Sequence, residues 1–346
     1  MNVCLATYQS AMLLKGGPRT QVFQTKRCLE RLGVNVALFE SWSEFRKENT
    51  DLVHLFGANI GTYHLAREIH KLGIPMVVSP IFYTRRSAMV IRAIARLDSA
   101  VRKFVHGVWM DYGFVKEICL WAKAVLPNTG EEARLLERGL GIRGGGITVI
   151  PNGVEERFDK ADPALFRKKY GVEKFILNVG HIGPERKNVL RLIHALEKIN
   201  SPSVIIGRIE DNEYGRACLV EAAKNPRLLM LDNISHESDL LASAYAACDV
   251  FVLPSLYETP GIAALEAALA GAKIVITGIG GTKEYFGQYA EYVEPTSVEL
   301  IHHGITTALN KVSNNALREH VRREFLWERV AEKTLQVYRK VVPTAW

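Results

Sequence analysis

Short apolar stretches rich in β-branched residues alternate along this chain with segments of helical length. In the first half, the apolar stretches are residues 2–7, 34–39, 52–56, 76–80 and 124–127. The intervening segments 19–32 and 63–71 carry apolar residues at helical spacing and end at Gly33 and Gly73, where a helix is expected to stop. This alternation is typical of βαβ units and predicts a parallel sheet with helices packed on its faces.

The same alternation restarts in the second half, after a Pro-Asn-Gly turn signal at residues 151–153. The later apolar stretches are residues 175–180, 203–207, 228–231, 250–254 and 273–277. With 346 residues, the chain is long enough for two domains of roughly 150 residues. We therefore predict an α/β protein with two Rossmann-like domains, residues 1–160 and 161–325. Because ligands bind beyond the carboxyl ends of parallel strands, two such domains facing each other predict a cleft.

Composition limits the classes of function. The 44 Lys and Arg residues against 37 Asp and Glu residues give a net charge of +7, which favours anionic partners without choosing among them. The N-terminus reads as a strand, not as a secretory signal, and no stretch approaches the roughly 18 uncharged apolar residues of a spanning helix. The five cysteines form no C-x-x-C pair, which predicts free thiols in a reducing compartment. We expect a cytoplasmic protein.

The most informative stretch is residues 249–271, in which an apolar strand, a loop and a helix follow one another. The helix begins at Ile262 and is apolar nearly all round, so it is expected to be buried, yet it carries Glu266. A buried carboxylate requires hydroxyls, a cation or backbone amides as donors. Glu258 lies at the mouth of the same helix, where the free amides of Gly261 and Ile262 form an anion site. A ligand with a phosphate and several hydroxyls suits these groups. The structural alternative is that Glu266 pairs with a buried arginine and Glu258 lies on the surface.

Several common signatures are missing. The sequence has no G-x-x-x-x-G-K-[ST] loop, no G-x-G-x-x-G after the first strand, no H-E-x-x-H and no D-x-D. Any phosphate site must therefore be built in another way, and we predict neither a metal ligand set nor a cofactor.

Residues 258–266, E-T-P-G-I-A-A-L-E, resemble the E-x7-E motif of retaining GT-B glycosyltransferases, in particular glycosyltransferase family 4, the group 1 glycosyltransferases. Other segments resemble motifs of this family in order and spacing: V-G-H-I-G-P-E-R-K-N (179–188), P-N-G-V (151–154), D-V-F-V-L-P-S (249–255), G-G-T-K-E (280–284), F-L-W-E (325–328) and G-G (16–17). The resemblance implies a GT-B fold with two Rossmann-like domains, and a C-terminal helix in residues 326–346 that returns to the first domain.

The resemblance also implies roles for individual residues. Lys187 would contact the donor diphosphate and offset the charge that develops as the nucleoside diphosphate leaves. Glu258 would hold hydroxyls of the donor sugar, Glu266 would hold the ribose hydroxyls, and the amides of Gly261 and Ile262 would bind phosphate. The other residues expected on the donor side are Gly17, His181, Arg186 and Thr259, and those expected on the acceptor side are Gly16, Ser79 and Tyr83.

Two positions depart from the family pattern. His181 stands where the family has an arginine, which predicts weak or pH-dependent donor affinity unless Arg186 supplies the charge. The histidine that many relatives carry after the fourth strand is absent from residues 78–83. Ser79, Tyr83 or the backbone could replace it, and His54 is a second-rank candidate.

Residues 85–108 predict a basic amphipathic helix. The apolar positions Val90, Ile94, Leu97, Val101, Val105 and Val108 recur at helical spacing, and the basic residues Arg85, Arg92, Arg96 and Lys103 lie on another face. Two interpretations stay open: a helix packed on its own sheet with a solvated basic face, or a helix that docks on an anionic membrane surface. A nucleic-acid partner is not expected, since no aromatic-interleaved basic motif is present.

The resulting hypothesis is a retaining, metal-independent glycosyltransferase. It would move a sugar from a UDP- or GDP-linked donor to a hydroxyl of a glycan or lipid-linked acceptor, in synthesis of a polysaccharide, glycolipid or other glycoconjugate. The loops around residues 207–208, 235–236 and 258–259 are expected to select base and sugar. The alternatives are a GT-B sugar-nucleotide epimerase and a non-catalytic protein that binds nucleotide sugars or glycans. The expected location is the cytoplasm, with peripheral contact at the inner face of the membrane under the docking interpretation.

Overall fold

A computed structural model describes residues 1–13, 16–105, 110–142 and 146–343. The chain divides into two compact units: unit 1 comprises Met1–Gly153 with Trp327–Trp346, and unit 2 comprises Val154–Leu326. The sequence placed the first junction later, at residue 160. Unit 2 begins earlier because the Val154 amide donates to the Phe325 carbonyl at 2.7 Å and Phe158 is buried in the core of this unit.

Unit 1 contains a parallel sheet of five strands in the order β2-β1-β3-β4-β5. The strands are β1 (Asn2–Thr7), β2 (Asn35–Leu38), β3 (Leu52–Phe56), β4 (Met76–Ser79) and β5 (Ala124–Val125). The helices before the junction are α1 (Ser10–Leu13), α2 (Gly17–Arg31), α3 (Ile60–Lys71), α4 (Ala88–Val101), α5 (Asp111–Trp121) and α6 (Gly130–Arg134), and α6 continues as a π-helix over Leu135–Leu140.

Both faces of this sheet are covered at β1, which explains why this strand reads as an apolar run. Val3 and Leu5 of β1 pack into one core cluster, and Cys4 and Ala6 pack into another on the opposite face.

Unit 2 contains a parallel sheet of six strands in the order β11-β10-β9-β6-β7-β8. The strands are β6 (Ile176–Val179), β7 (Ser203–Ile206), β8 (Leu228–Leu231), β9 (Val250–Leu253), β10 (Lys273–Thr277) and β11 (Glu291–Val293). The helices are α7 (Ala164–Tyr170), α8 (Val189–Glu197), α9 (Glu213–Ala222), α10 (Asp239–Ala247), α11 (Ile262–Leu269), α12 (Thr282–Phe286), α13 (Val298–Asn310) and α14 (Ala316–Glu324).

The strand order of unit 2 reverses between β6 and β9, which are hydrogen-bonded neighbours. Such a reversal is a topological switch point, where the loops at the carboxyl ends of the two strands diverge and leave room for a ligand. Lys187 follows β6 and Glu258 follows β9, so the fold brings the two loops that carry them to the same edge of the sheet.

The last helix, α15 (Trp327–Val341), is part of unit 1. Its Trp327 and Tyr338 are buried in one cluster with Val22 and Leu29 of α2. Among the described residues, no helix combines the length and the apolar character needed to cross a bilayer.

The helix predicted within residues 85–108 forms as α4, but its packing differs from the predicted pattern. Ile91, Ala95 and Asp98 are its buried residues. The exposed apolar side chains of this region are Met89, Val90, Leu97, Phe104 and Val105. The predicted apolar face therefore stays largely outside the core. Val108 lies outside the described residues.

Candidate functional site

Lys187 and Glu258 form the centre of the candidate site in unit 2. Lys187 Nζ lies 2.6 Å from Glu258 Oε1, and the Ser255 hydroxyl donates to the same oxygen at 2.8 Å. Arg186 Nη1 lies 3.5 Å from it. Lys187 and Arg186 carry one positive charge each, and Glu258 carries one negative charge. The cluster therefore has one net positive charge available to an anionic ligand.

The pKa of Glu258 reflects this environment. Burial by itself would raise the pKa, but the charges of Lys187 and Arg186, with the hydrogen bonds from Lys187 and Ser255, hold it below its ordinary value. Glu258 is therefore ionised at neutral pH and can accept hydrogen bonds from hydroxyl groups.

Backbone contacts fix the loop that carries Glu258. The Glu258 amide donates to the Ile279 carbonyl at 3.1 Å, and the Gly281 amide donates to the Glu258 carbonyl at 3.0 Å. Gly280 has a φ of +98°, and a Cβ there would lie 2.0 Å from the Glu258 carbonyl oxygen. Only glycine satisfies both constraints at this position.

The loop that carries Lys187 is held by Asn188, whose φ is +59°. The side-chain amide of Asn188 donates to the carbonyls of Pro254 and Pro295 at 2.8 and 2.7 Å. Arg186 donates to the Tyr257 carbonyl at 3.1 Å, and its guanidinium lies 5.1 Å from the centre of the Tyr257 ring. These contacts tie the loop after β6 to the loop after β9.

Glu266 lies buried on α11, as predicted, but its partners are not an arginine. His236 Nε2 lies 2.6 Å from Glu266 Oε1, and the Tyr245 hydroxyl donates to Oε2 at 2.8 Å. The hydrogen bond to Glu266 raises the pKa of His236 above its ordinary value. Sequence reasoning missed both partners, although residues 235–236 lie in a loop assigned to base and sugar selection.

α11 begins at Ile262, four residues after Glu258. Gly261 is left-handed, with φ +70° and ψ +63°, and Ile262 is the first helical residue. The first amides of a helix have no acceptor within the helix, so they are available to an anion. Thr259 is half-buried in the loop before them.

His181 follows β6 and is half-exposed, with Nδ1 4.0 Å from Glu210 Oε1. The structure thus pairs His181 with an acidic side chain, whereas Arg186 contacts Glu258. This placement is compatible with the expectation that Arg186 supplies the charge of the missing arginine.

Unit 1 contains a cavity of about 520 Å³ beside the ends of β3 and β4. Its lining includes Tyr8, Asn59, Phe82, Tyr83, Asp111 and Tyr112. Ring faces with a carboxylate and an amide are the groups that bind sugars and other small polar molecules.

Of the predicted acceptor-side residues, Tyr83 lines this cavity and Ser79 does not. Ser79 is buried, and its hydroxyl lies 3.0 Å from His54 Nε2, while His54 Nδ1 lies 2.6 Å from the Tyr338 hydroxyl. Burial lowers the pKa of His54 to about 3, so the ring is neutral. Both side chains are hydrogen-bonded within the core, so neither lines the cavity, and a role for Ser79 or His54 near a reacting centre stays a prediction.

Gly16 and Gly17 lie at the N-terminus of α2. Gly16 has extended backbone, with a φ of −162°, and a Cβ there would meet nothing within 4 Å. Neither local space nor backbone conformation therefore requires glycine at Gly16.

Glu132, which the sequence did not single out, is a buried carboxylate behind the cavity of unit 1. Its two oxygens accept the backbone amides of Phe82 and Asn128, each at 2.7 Å. Ile81, beside Phe82, has a φ of +53°. Glu132 thus ties the strained loop that lines the cavity to the end of β5.

Among the described residues, His194, Glu197 and Glu221 on α8 and α9 could hold a metal ion, since one ligand atom from each lies within 4.8 Å of the others. Lys224 Nζ lies 2.6 Å from Glu221 Oε2, so a metal ion would compete with Lys224 for this carboxylate.

Comparison with known proteins finds similarity in sequence and in fold. Residues 164–324, almost all of unit 2, match the family model for glycosyl transferases group 1. An uncharacterized glycosyltransferase from Methanocaldococcus jannaschii is 31% identical over 213 residues, which are 56% of this chain and 54% of the relative. The MMP alpha-(1->4)-mannosyltransferase of Mycolicibacterium hassiacum is 27% identical over 316 residues, 86% of this chain and 72% of the relative. The chain thus spans about half the length of the first relative.

Solved structures extend the similarity to both units. Sucrose-phosphate synthase from Thermosynechococcus elongatus has a TM-score of 0.77 at 18% identity and covers 100% of both chains. The Anabaena protein HepE in complex with UDP has a TM-score of 0.70 at 15% identity, over 98% of this chain and 100% of that one. At these identities the likeness defines the fold class, which is GT-B.

Unit 2 thus resembles the group 1 glycosyltransferases over residues 164–324. The predicted GT-B fold class is confirmed, and so is the predicted resemblance to group 1 glycosyltransferases.

Proposed function

We propose that this chain is a retaining glycosyltransferase in which unit 2 binds a UDP- or GDP-linked sugar and unit 1 binds the acceptor. The ion pair between Lys187 and Glu258, with Arg186 beside it, carries this proposal. This cluster combines a net positive charge with an ionised carboxylate at the switch point of the sheet. The positive charge suits the diphosphate, and the carboxylate suits the hydroxyls of the sugar, as the bond between diphosphate and sugar breaks.

On donor binding, we expect the diphosphate to exchange partners with this pair. Lys187 and Arg186 would turn to phosphate oxygens together with the amides of Gly261 and Ile262. Glu258, released from the lysine, would accept hydroxyls of the sugar. The fixed cations stabilise the charge on the departing diphosphate, which is the interaction that grows most in the transition state.

The family resemblance supports a front-face reaction with retention. In this reaction the acceptor oxygen forms the new glycosidic bond as the bond to the diphosphate breaks, and the departing phosphate takes the acceptor proton. The cation cluster supports reaction without a metal cofactor, since it supplies positive charge where the diphosphate forms.

The cavity of unit 1 supports a glycan as the acceptor. Tyr8, Tyr83 and Tyr112 offer ring faces for sugar C–H groups, while Asn59 and Asp111 offer hydrogen-bond partners for hydroxyls. These features fit a role in polysaccharide or other glycoconjugate synthesis.

Contact with an anionic membrane is the second part of the proposal. Met89, Leu97 and Phe104 expose large apolar side chains, and Arg85 and Arg96 lie in the same region of the chain. Exposed apolar groups with nearby cations are typical of a peripheral membrane surface, and with a lipid-linked acceptor the location would be the inner face of the membrane.

A thermal-shift screen tests the donor part of the proposal. The melting temperature is measured with UDP, GDP, ADP and their common sugar conjugates, because a ligand that binds only the folded chain stabilises it. We expect UDP or GDP and their conjugates to raise it by several degrees at concentrations about 100 times the Kd. A folded sample that no nucleotide stabilises would contradict a donor site in unit 2.

A further inference from the structure

His236 is a histidine that contacts a proposed ligand-binding carboxylate. It lies in the loop between β8 and α10, and its Nε2 is 2.6 Å from Glu266 Oε1. The Glu266 side chain is only 4% exposed, whereas that of His236 is 40% exposed. The imidazole thus occupies a hydrogen-bonding position of the carboxylate and reaches solvent itself.

The second oxygen of Glu266 is also engaged. The Tyr245 hydroxyl donates to Oε2 at 2.8 Å, and burial with the nearby Glu266 charge raises the pKa of Tyr245 well above its ordinary value. Tyr245 therefore stays protonated and remains a donor. The other partner, His236, is a histidine whose pKa the hydrogen bond to Glu266 raises above the ordinary value, so its charge is the one that changes with pH.

The groups that face His236 from other elements are Glu266 on α11, Tyr245 on α10, and Arg157 and Glu155 before α7. Arg157 donates to the His236 carbonyl at 2.6 Å, and its guanidinium lies 4.1 Å from the centre of the Phe158 ring. Glu155 Oε1 lies 3.3 Å from Arg157 Nε and partly offsets its charge. The hydrogen bond with Glu266 is the largest influence on the pKa of His236 and favours imidazolium, whereas burial of the ring and, to a smaller extent, the Arg157 charge oppose it.

We propose that His236 is a positioning residue for Glu266 that sets how strongly unit 2 holds the ribose of a nucleotide. This inference rests on the proposed donor site, in which Glu266 accepts the ribose hydroxyls. The imidazolium holds the carboxylate with a charge-assisted hydrogen bond, so a ribose must compete with it. The neutral ring competes less, and nucleotides bind more tightly as the ring loses its proton.

The test is isothermal titration of the full chain with UDP, GDP and ADP between pH 6 and pH 8.5. His236→Gln keeps a neutral donor at this position, and His303→Gln, at an exposed histidine on α13, is the matched control. For the nucleotide that binds, we expect the ratio of the wild-type Kd to the His236→Gln Kd to fall about three- to tenfold from pH 6 to pH 8.5. Protonation of the nucleotide phosphate is common to both proteins and cancels in the ratio. His303→Gln should follow the wild type.

A second probe separates this role from a merely structural one. The 2′,3′-dideoxy form of the same nucleotide lacks the hydroxyls that compete for Glu266, so its ratio should not change with pH. A ratio that is constant with pH for the ribonucleotide, or an equal change for the dideoxy form, would overturn the inference while leaving the donor site in place. Failure of every nucleotide to bind the wild type at any pH would instead overturn the proposed function itself.

Discussion

Replacing Lys187 by alanine is expected to lower the rate of sugar transfer by about 100- to 1,000-fold, the range seen when one preorganised charge-stabilising group is removed from an active site. Lys187 is the cation nearest to Glu258, at 2.6 Å, and it lies at the switch point of the sheet. Its charge is proposed to matter most when the diphosphate departs, so the loss should fall mainly on kcat. Glu258→Gln should cause a loss of similar size, because an amide cannot replace an ionised acceptor for sugar hydroxyls.

The measurement is the initial rate at saturating donor, with circular dichroism to verify folding. Lys168→Ala, which removes an exposed lysine on α7, is the matched control and should retain wild-type rates. In Lys187→Ala, Ser255 and Arg186 still contact Glu258, so the fold should persist. Unchanged transfer by either site variant would argue strongly against the assignment of this cluster.

Replacing Glu132 by alanine is expected to destabilise the protein by about 3 kcal/mol, because it leaves the buried amides of Phe82 and Asn128 without their acceptor. Burial raises the pKa of Glu132 from 4.5 to about 7. The folded state therefore binds more protons than the unfolded state between these values, and the wild type loses stability as the pH rises through this window. The loss in Glu132→Ala should accordingly be larger at pH 5 than at pH 8.

Urea unfolding of both proteins at the two pH values checks this expectation. Glu137→Ala, at an exposed position in the same helical segment, serves as the control and should change stability by less than about 0.5 kcal/mol. An equal loss for Glu132→Ala at pH 5 and pH 8 would mean that Glu132 does not titrate in this range.

The sequence predicts the two sheets well because buried parallel strands are short, largely apolar runs, and β9, V-F-V-L, is fully apolar. It also predicts the burial of Glu266, since a helix that is apolar nearly all round is expected to be buried together with the one carboxylate it carries. The partners of that carboxylate could not be predicted: His236 is separated from Glu266 by 30 positions, and only the packing of the loop after β8 brings the ring within reach.

Two other positions show why local pattern was insufficient. Ser79 ends a strand, where a functional side chain is expected. Because side chains along a strand alternate between the two faces of the sheet, that of Ser79 points to the face on which His54 is buried. On α4, the side chains that pack inward are Ile91 and Ala95. They face the π-helical segment after α6, whereas the most apolar stripe of α4 faces away from it. Such choices depend on neighbours that periodicity does not describe.

Sugar transfer itself tests the central claim most directly. The purified chain is incubated with UDP- and GDP-linked sugars and a panel of glycan acceptors, and products are identified by mass spectrometry, with anomeric configuration assigned by NMR. We predict a glycosylated acceptor with the anomeric configuration of the donor, formed by the wild type and not by Lys187→Ala. Interconverted nucleotide sugars without any acceptor would indicate an epimerase instead. Donor binding without turnover on any acceptor would contradict the claim that this chain is a glycosyltransferase.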